Sequence, residues 1–209
     1  MDLLQRQQQN EQRKNAPLAD RLRPKTLDDV VGQDAVLAPG KPLRRLIEAD
    51  RVPSLILFGP PGTGKTTIAH VIAERTNRAF RKLSAVTSGV KELREVVDEA
   101  KQALLFDQVR TILFIDEIHR FNKSQQDALL PHVEDGTLTL IGATTENPFF
   151  EVNKALLSRC QVVELTWLST EALEKVLDRA LSDTTMGLGA YAVTLDADAR
   201  ALLLASSGG

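Results

Sequence analysis

One short segment of the sequence has the composition of a phosphate-binding loop. Residues 59–66 read Gly-Pro-Pro-Gly-Thr-Gly-Lys-Thr, which fits the pattern G-x-x-x-x-G-K-T. Glycines in this pattern let backbone N–H groups approach a polyphosphate, the lysine reaches its β- and γ-phosphates, and the following hydroxyl is a ligand of Mg²⁺. We therefore predict that the chain binds ATP with Mg²⁺. The predicted nucleotide contacts in this loop are Gly59, Pro60, Pro61, Gly62, Thr63, Gly64, Lys65, Thr66 and Thr67, and Thr66 is also a predicted metal ligand.

Two adjacent carboxylates, Asp116 and Glu117, follow the apolar run 111–115. Ligands of open α/β sheets bind at the carboxyl ends of the strands, so both side chains are candidates for the same site. Neighbouring side chains of a strand point to opposite faces, which predicts different roles. We assign Asp116 to Mg²⁺ and Glu117 to the water that attacks the γ-phosphate.

Two further polar segments are candidates for nucleotide chemistry. Thr144, Thr145 and Asn147 follow the apolar run 138–143, and any of them could hydrogen-bond the γ-phosphate or the attacking water. Arg159 precedes the last apolar run and could stabilise charge on a phosphate, although a surface ion pair is the alternative.

The elements that must position these residues form an alternating pattern. Five short apolar runs are separated by helical patterns, which predicts an α/β fold: a five-stranded parallel P-loop sheet with helices on both faces. The predicted strands are 55–58, 80–83, 111–115, 138–143 and 162–165, and the main predicted helices are 42–49, 66–76, 90–105 and 124–133. After residue 167 only helical patterns follow, at about 169–181 and 197–205. We therefore expect a disordered polar tail over 1–15, a nucleotide-binding core over 16–167 and part of an all-helical lid over 168–209.

Composition sets further bounds on function. The chain has 209 residues and a net charge of −2, which gives no general support for nucleic-acid binding. The sequence contains no signal peptide and no apolar stretch of the ~20 residues that span a bilayer, so we predict a cytoplasmic protein without a membrane partner. Cys160 is the one cysteine, which excludes an internal disulfide. We expect Cys160, Phe149 and Trp167 to pack in the core and His119 to have a structural role.

These motifs resemble the AAA+ ATPases, and more narrowly their clamp-loader group. The resemblance rests on the phosphate loop, on Ser-Arg-Cys at 158–160, and on Arg-Leu-Arg-Pro-Lys-Thr-Leu-Asp-Asp-Val-Val-Gly-Gln at 21–33. The segments 116–127 and 142–148 are similar to the replication-associated recombination protein A family, also known as the Werner-helicase-interacting ATPase. The resemblance covers roughly residues 16–209.

The resemblance implies a function that the composition does not show. It implies an ATPase at stalled replication forks that acts on single-strand/duplex DNA junctions and ends. It also implies association with single-strand DNA-binding protein and with the nucleoid, and assembly as a homotetramer.

The resemblance also implies roles for particular residues. By match of motif, Arg159 acts as a finger on a neighbouring subunit's ATP, Thr145 is the first sensor with Asn147 second, and the backbone near Val31 contacts adenine. Family members are longer than this chain, so we expect weak turnover here and leave its oligomeric state open.

Three other functions are alternatives to a DNA-directed ATPase. A protein-remodelling ATPase usually has an aromatic residue after the second strand, whereas residues 84–89 are small and polar and could meet a DNA phosphate, helped by Lys82, Lys91 or Arg94. A P-loop small-molecule kinase or a GTPase is disfavoured, because the sequence lacks the Asn-Lys-x-Asp guanine motif and the adjacent Asp116-Glu117 pair favours hydrolysis. A chain that binds ATP without significant turnover stays open.

Overall fold

The computed structural model describes residues 16–207, which form two compact units. The larger unit spans Lys25–Trp167, and the smaller one contains residues 16–24 and 168–207. The sequence placed 16–24 in the nucleotide-binding core, whereas these residues group with the C-terminal helices. The predicted tail over 1–15 lies outside the described residues.

A five-stranded parallel sheet forms the centre of the larger unit, in the order β2-β3-β4-β1-β5. The fold-class prediction is therefore confirmed. Each strand lies within about one residue of its predicted position, because short apolar runs bounded by polar residues mark buried parallel strands. The strands are β1 Leu55–Phe58, β2 Ala79–Ser84, β3 Thr111–Asp116, β4 Leu138–Thr144 and β5 Gln161–Glu164.

Helices connect the strands. In chain order they are α1 Leu18–Arg21, α2 Asp34–Leu37, α3 Pro42–Glu48, α4 Lys65–Arg75, α5 Val90–Gln102, α6 Lys123–Glu134, α7 Pro148–Glu151, α8 Lys154–Leu157, α9 Thr170–Ser182 and α10 Ala197–Ser206. Short 3₁₀ turns occupy Leu27–Asp29, Ile118–Arg120 and Gly189–Tyr191. The predicted helix 90–105 instead ends at Gln102 and continues as a π-helical turn over Ala103–Asp107.

Alternating strand residues divide the core into two layers, one on each face of the sheet. In β1, Leu55 and Leu57 pack with α3 and α4, while Ile56 packs on the opposite face with α5, α6 and α8. Strands β3 and β4 alternate in the same way. Because both faces are covered, the ends of the strands are the accessible parts of the sheet, and polar side chains there can contact a ligand. We call these two sides of the sheet its carboxyl edge and its amino edge.

Two apolar residues expected in the core are exposed. Phe149 is 62% exposed and Trp167 is 52% exposed, so the prediction for both is wrong. Phe149 lies in the first turn of the short helix α7, which turns it to the surface, and Trp167 follows the end of β5. Cys160, by contrast, is half-buried and packs against the core.

The smaller unit contains α9 and α10. Ser169 caps α9 by accepting a hydrogen bond from the Ala172 N–H at 3.2 Å, and Arg200 pairs with Asp178 at 2.6 Å. The identification of this unit as part of a helical lid stays a prediction. No helix within residues 16–207 is long and apolar enough to cross a membrane.

Candidate nucleotide-binding site

The predicted nucleotide residues meet at the carboxyl edge of the sheet. Phe58, at the end of β1, lies opposite Thr144, at the end of β4, and β3 pairs with the other side of β4. The Gly59 N–H donates to the Thr144 carbonyl at 3.2 Å, which joins the phosphate loop to the end of β4. Parallel strands thus bring three separate sequence motifs to one edge.

Two glycines give the phosphate loop its path. At Gly59 a Cβ atom would lie 2.2 Å from the Leu165 carbonyl oxygen, so a side chain cannot be accommodated without moving β5's end. Gly64 adopts the left-handed conformation, with φ of +90°, directly before α4. The loop therefore delivers the first N–H groups of α4 toward the sheet edge, where they can bind an anion.

The Lys65 side chain is buried inside the phosphate loop. Its side chain is 9% exposed, and its ammonium donates to the carbonyls of Gly59 at 2.6 Å and Pro60 at 2.7 Å. Burial lowers the pKa of Lys65, while the nearby carboxylates of Glu117 and Asp116 raise it. The same carboxylates that were predicted to act on Mg²⁺ and water are therefore within electrostatic range of the lysine that is predicted to bind phosphate.

Gln33 fixes the segment before α2 to the phosphate loop. Its buried amide donates to the carbonyls of Thr63 at 3.2 Å and Thr166 at 2.9 Å. Val31, predicted to approach adenine, is half-buried two residues earlier. The sequence motif contained Gln33 without indicating a role, because its partners lie 30 and 133 residues away.

Asp116 and Glu117 differ in backbone conformation as well as in predicted role. Asp116 ends β3, and its carboxylate lies 3.5 Å from the Lys82 ammonium. Glu117 leaves the strand in the left-handed conformation, with φ of 55°. Strand alternation, from which different roles were predicted, therefore ends at Asp116, because Glu117 lies outside β3.

His119 joins the candidate base to the end of β4. Its Nδ1 lies 3.4 Å from Glu117 Oε2 and 2.9 Å from Thr144 Oγ1. A structural role was predicted for His119, because its short distance from Asp-Glu in the chain is the one signal that the sequence contains. The structure shows that the 3₁₀ turn Ile118–Arg120 brings the imidazole back to the sheet edge.

The three sensor candidates occupy different environments. Thr144 is fully buried, and its hydroxyl hydrogen-bonds His119 and the Glu146 backbone. The exposed Asn147 caps α7 by accepting from the Phe149 N–H at 3.0 Å. Thr145 is half-buried between them. The Thr144 hydroxyl already has partners within the chain, and the roles of Thr145 as first sensor and Asn147 as second stay predictions.

Arg159 does not join this group. It lies two residues before β5, at the amino edge of the sheet, where it pairs with Glu134 and donates to the Ala155 carbonyl at 2.8 Å. The start of β5 aligns with Leu55, four residues before Gly59. Four strand residues cover about 13 Å at about 3.3 Å each, and Arg159 lies beyond that level. Arg159 therefore lies on the opposite edge from its own phosphate loop.

The residues present fit Mg²⁺ bound together with a nucleotide. Among residues 16–207, no cluster of three or more His, Cys, Asp or Glu side chains could hold a metal ion alone. Thr66 and Asp116 offer a hydroxyl and a carboxylate, and Mg²⁺ in NTPases takes one or two such oxygens plus phosphate oxygens and water. This donor set suits a metal that arrives with a triphosphate.

Comparisons with known proteins agree with this geometry. Residues 55–166 match the family model described as ATPase family associated with various cellular activities (AAA). Replication-associated recombination protein A of Escherichia coli K12 is 58% identical over 88% of this chain, which covers 41% of that protein. ATPase WRNIP1 of Dictyostelium discoideum is 50% identical over 82% of this chain and 19% of that protein. The chain thus spans about two fifths or less of the length of these curated relatives.

Solved structures with the same fold include Thermotoga maritima RuvB. The structure described as the RuvB Holliday junction branch migration motor is 33% identical, with a TM-score of 0.59, and covers 78% of this chain and 54% of that one. A RuvB variant gives a TM-score of 0.67 at 28% identity, covering 88% of this chain and 59% of that one.

Proposed function

This chain belongs to the AAA ATPase family, and we propose that it binds ATP with Mg²⁺ at the carboxyl edge of its sheet and hydrolyses the γ-phosphate. The observation that carries the proposal is the placement of buried Lys65 within electrostatic range of Asp116 and Glu117. A lysine on the phosphates beside a carboxylate for water is the arrangement that hydrolysis requires.

Each residue has a defined part in the proposed reaction. The loop N–H groups and Lys65 bind the phosphates, and Thr66 with Asp116 would hold Mg²⁺, which neutralises phosphate charge when bound. Glu117 orients the attacking water and accepts its proton as the water oxygen bonds the γ-phosphorus. The bond between the γ-phosphorus and the bridging oxygen breaks, which releases ADP and phosphate. Thr145, with Asn147 second, reports the γ-phosphate, and the backbone near Val31 contacts adenine.

Arg159 completes the site from a second copy of the chain. Its position at the amino edge supports action on a neighbour's ATP, because its own phosphate loop lies on the opposite edge. We accordingly expect weak turnover from an isolated chain. The proposed assembly is a homotetramer of the longer protein, in which each interface joins one phosphate loop to one Arg159.

We further propose that the protein uses ATP turnover to act on DNA at junctions and ends of stalled replication forks. Its proposed partner is single-strand DNA-binding protein, and its proposed location is the nucleoid. Support comes from the names of similar proteins: a replication-associated recombination protein at 58% identity and a branch migration motor at 33%.

The loop after β2 supports DNA contact less than its composition suggested. Glu92 accepts a hydrogen bond from the Gly89 N–H at 2.8 Å, so a carboxylate already caps the start of α5. The backbone hydrogen bonds lower the pKa of Glu92, which keeps that cap negative. A DNA phosphate would have to displace this cap, and exposed Arg94 and Lys91 are the better candidates for contact.

The test is ATP turnover with and without DNA. Turnover should rise with forked DNA and with duplexes that carry single-strand ends, and less with blunt duplex of equal length. Lys65→Ala measured with the same DNA is the control for contaminating ATPases. Turnover that no DNA changes would contradict the DNA-directed proposal and favour a protein-directed ATPase. An absence of turnover under all conditions would favour a chain that only binds ATP.

A further inference from the structure

The imidazole of His119 lies between the predicted general base and the end of β4. We propose that His119 is a positioning residue: it tethers the Glu117 carboxylate to Thr144 and so couples the water-activating group to the strand that carries the γ-phosphate sensor. This inference rests on the proposed function, since it assigns Glu117 to the attacking water. It adds a role for a side chain that no motif identified.

The contacts of His119 favour a proton on Nδ1. A carboxylate only accepts hydrogen bonds, so the 3.4 Å contact of Glu117 Oε2 with His119 Nδ1 is favourable when Nδ1 is protonated. Thr144 Oγ1, 2.9 Å from the same nitrogen, can then accept as well. The Thr144 hydroxyl proton has its own acceptor in the Glu146 carbonyl, at 3.2 Å. His119 Nδ1 therefore hydrogen-bonds Thr144 and lies in a longer, electrostatic contact with the Glu117 carboxylate.

Thr144 gives this tether a rigid support. It is fully buried, its Oγ1 accepts from the Glu146 N–H at 3.0 Å, and its carbonyl accepts from the Gly59 N–H at 3.2 Å. One residue thus contacts the start of the phosphate loop, the segment after β4 and the imidazole. If nucleotide binding displaces the loop or Thr145, these contacts of Thr144 would also move His119.

The Glu117 side chain is not held in one rotamer by the strand. Its backbone is in the left-handed conformation, outside the hydrogen-bonded ladder of β3, and its side chain is 31% exposed. A carboxylate in that setting samples several rotamers, and only some can face a water at the γ-phosphate. His119, with 11% of its side chain exposed, restricts that choice because the core holds it in place. The long 3.4 Å contact still permits Glu117 to turn toward water.

The kinetic test compares two substitutions of His119. His119→Leu removes the N–H and should lower kcat about tenfold with the KM for ATP nearly unchanged, because the Glu117 carboxylate loses the group that restricts its rotamers. His119→Asn places an amide N–H near the position of Nδ1 and should restore most of the loss. His132→Leu, in helix α6, is the matched control and should leave kcat unchanged. In a Glu117→Gln background, His119→Leu should cause no further loss, because the group that it positions is gone.

The results separate a positioning role from a structural one. Equal activity of wild type and His119→Leu would overturn the inference, as would equal loss in the Leu and Asn variants together with lower thermal stability. If the wild type itself hydrolyses no ATP, the proposed function fails and a second measurement decides this inference.

The second measurement is the tautomer of His119, read from long-range proton–nitrogen NMR spectra of the imidazole rings. The chain has three histidines, so each ring can be assigned by substitution. We expect a protonated Nδ1 whose shift moves in Glu117→Gln and in Thr144→Val, while the His132 ring signals stay in place. An unprotonated Nδ1, or a shift that neither substitution changes, would contradict the tether whether or not the chain hydrolyses ATP.

Discussion

The carboxyl and amino edges of the sheet differ in how their charged residues are held. At the carboxyl edge, Lys65 is buried and bound to loop carbonyls, and Asp116 and Glu117 have partners in Lys82 and His119. At the amino edge, Arg159 is 40% exposed and pairs with Glu134, itself 46% exposed. Surface pairs of this kind contribute little to stability and are readily exchanged for another partner. The chain thus preorganises nucleotide binding and leaves Arg159 available to a second molecule.

The largest predicted effect concerns the amino edge. Arg159→Ala should lower turnover by roughly 10³–10⁵-fold in the assembled protein, the range for an arginine that stabilises phosphoryl transfer from a neighbour. Binding of ATP to a single chain should be unchanged, because Arg159 lies on the far edge. Turnover measured over a series of protein concentrations checks both points, with Arg45→Ala on helix α3 as the control. A loss of the same size in a strictly monomeric form would show that Arg159 acts within its own chain.

Glu117→Gln is the corresponding change at the carboxyl edge. It should reduce kcat by about 10²–10⁴-fold, since the amide cannot accept the proton of water. ATP affinity should persist, because the phosphate loop is intact. Single-turnover hydrolysis and equilibrium binding of a fluorescent ATP analogue separate the two effects. Glu95→Gln, an exposed carboxylate on α5, is the control, and normal turnover of Glu117→Gln would remove Glu117 from the mechanism.

Lys65→Ala should act on binding itself. Two charge-assisted hydrogen bonds to phosphates, at about 1.5 kcal/mol or more each, correspond to a loss of at least roughly 100-fold in affinity. Calorimetric titration with ATP and Mg²⁺ measures the change, and Lys101→Ala, an exposed lysine on α5, is the matched control. Unchanged affinity would falsify the assignment of the phosphate loop.

A last prediction, which involves no loss of activity, concerns Cys160, the residue after Arg159. Burial raises the pKa of Cys160 to about 12, so the thiol stays protonated at pH 8 and should react with iodoacetamide roughly three orders of magnitude more slowly than a free thiol. The rate should approach that of a free thiol in denaturant. Rapid labelling of the native chain would show that the segment carrying Arg159 opens, and that the amino edge is less ordered than the packing of Cys160 indicates.

Local patterns made most of the fold predictable. The central strands β1, β3 and β4 are short apolar runs, and helices such as α5 show buried residues at helical spacing, so the period of the pattern indicated the element. The short helices α2, α7 and α8 have four residues each, too few for a period to appear. Phe149 was misplaced for the same reason, since an apolar residue in an unrecognised surface turn looks like a core residue.

The sequence predicts the position of site residues that belong to one contiguous motif. It does not predict contacts between residues that are far apart in the chain. The phosphate loop and the Asp-Glu pair are contiguous, so residue type and spacing were sufficient to predict that both lie at the carboxyl edge of the sheet. The contacts of Gln33 with Thr166 and of His119 with Thr144 depend on strand order and on turns. The sequence does not indicate the left-handed conformation of Glu117. Such turns are usually recognised by a glycine or an asparagine, and this position has neither.

The most direct test of the difference between the two edges is turnover by a mixture of two inactive variants. Chains with Arg159→Ala keep a complete carboxyl edge, and chains with Glu117→Gln keep Arg159. If ATP is hydrolysed between two copies, an equimolar mixture should regain a substantial part of wild-type turnover at concentrations where each variant alone shows none. A mixture that stays as inactive as its components, under conditions where the two variants are shown to associate, would contradict a site shared between chains.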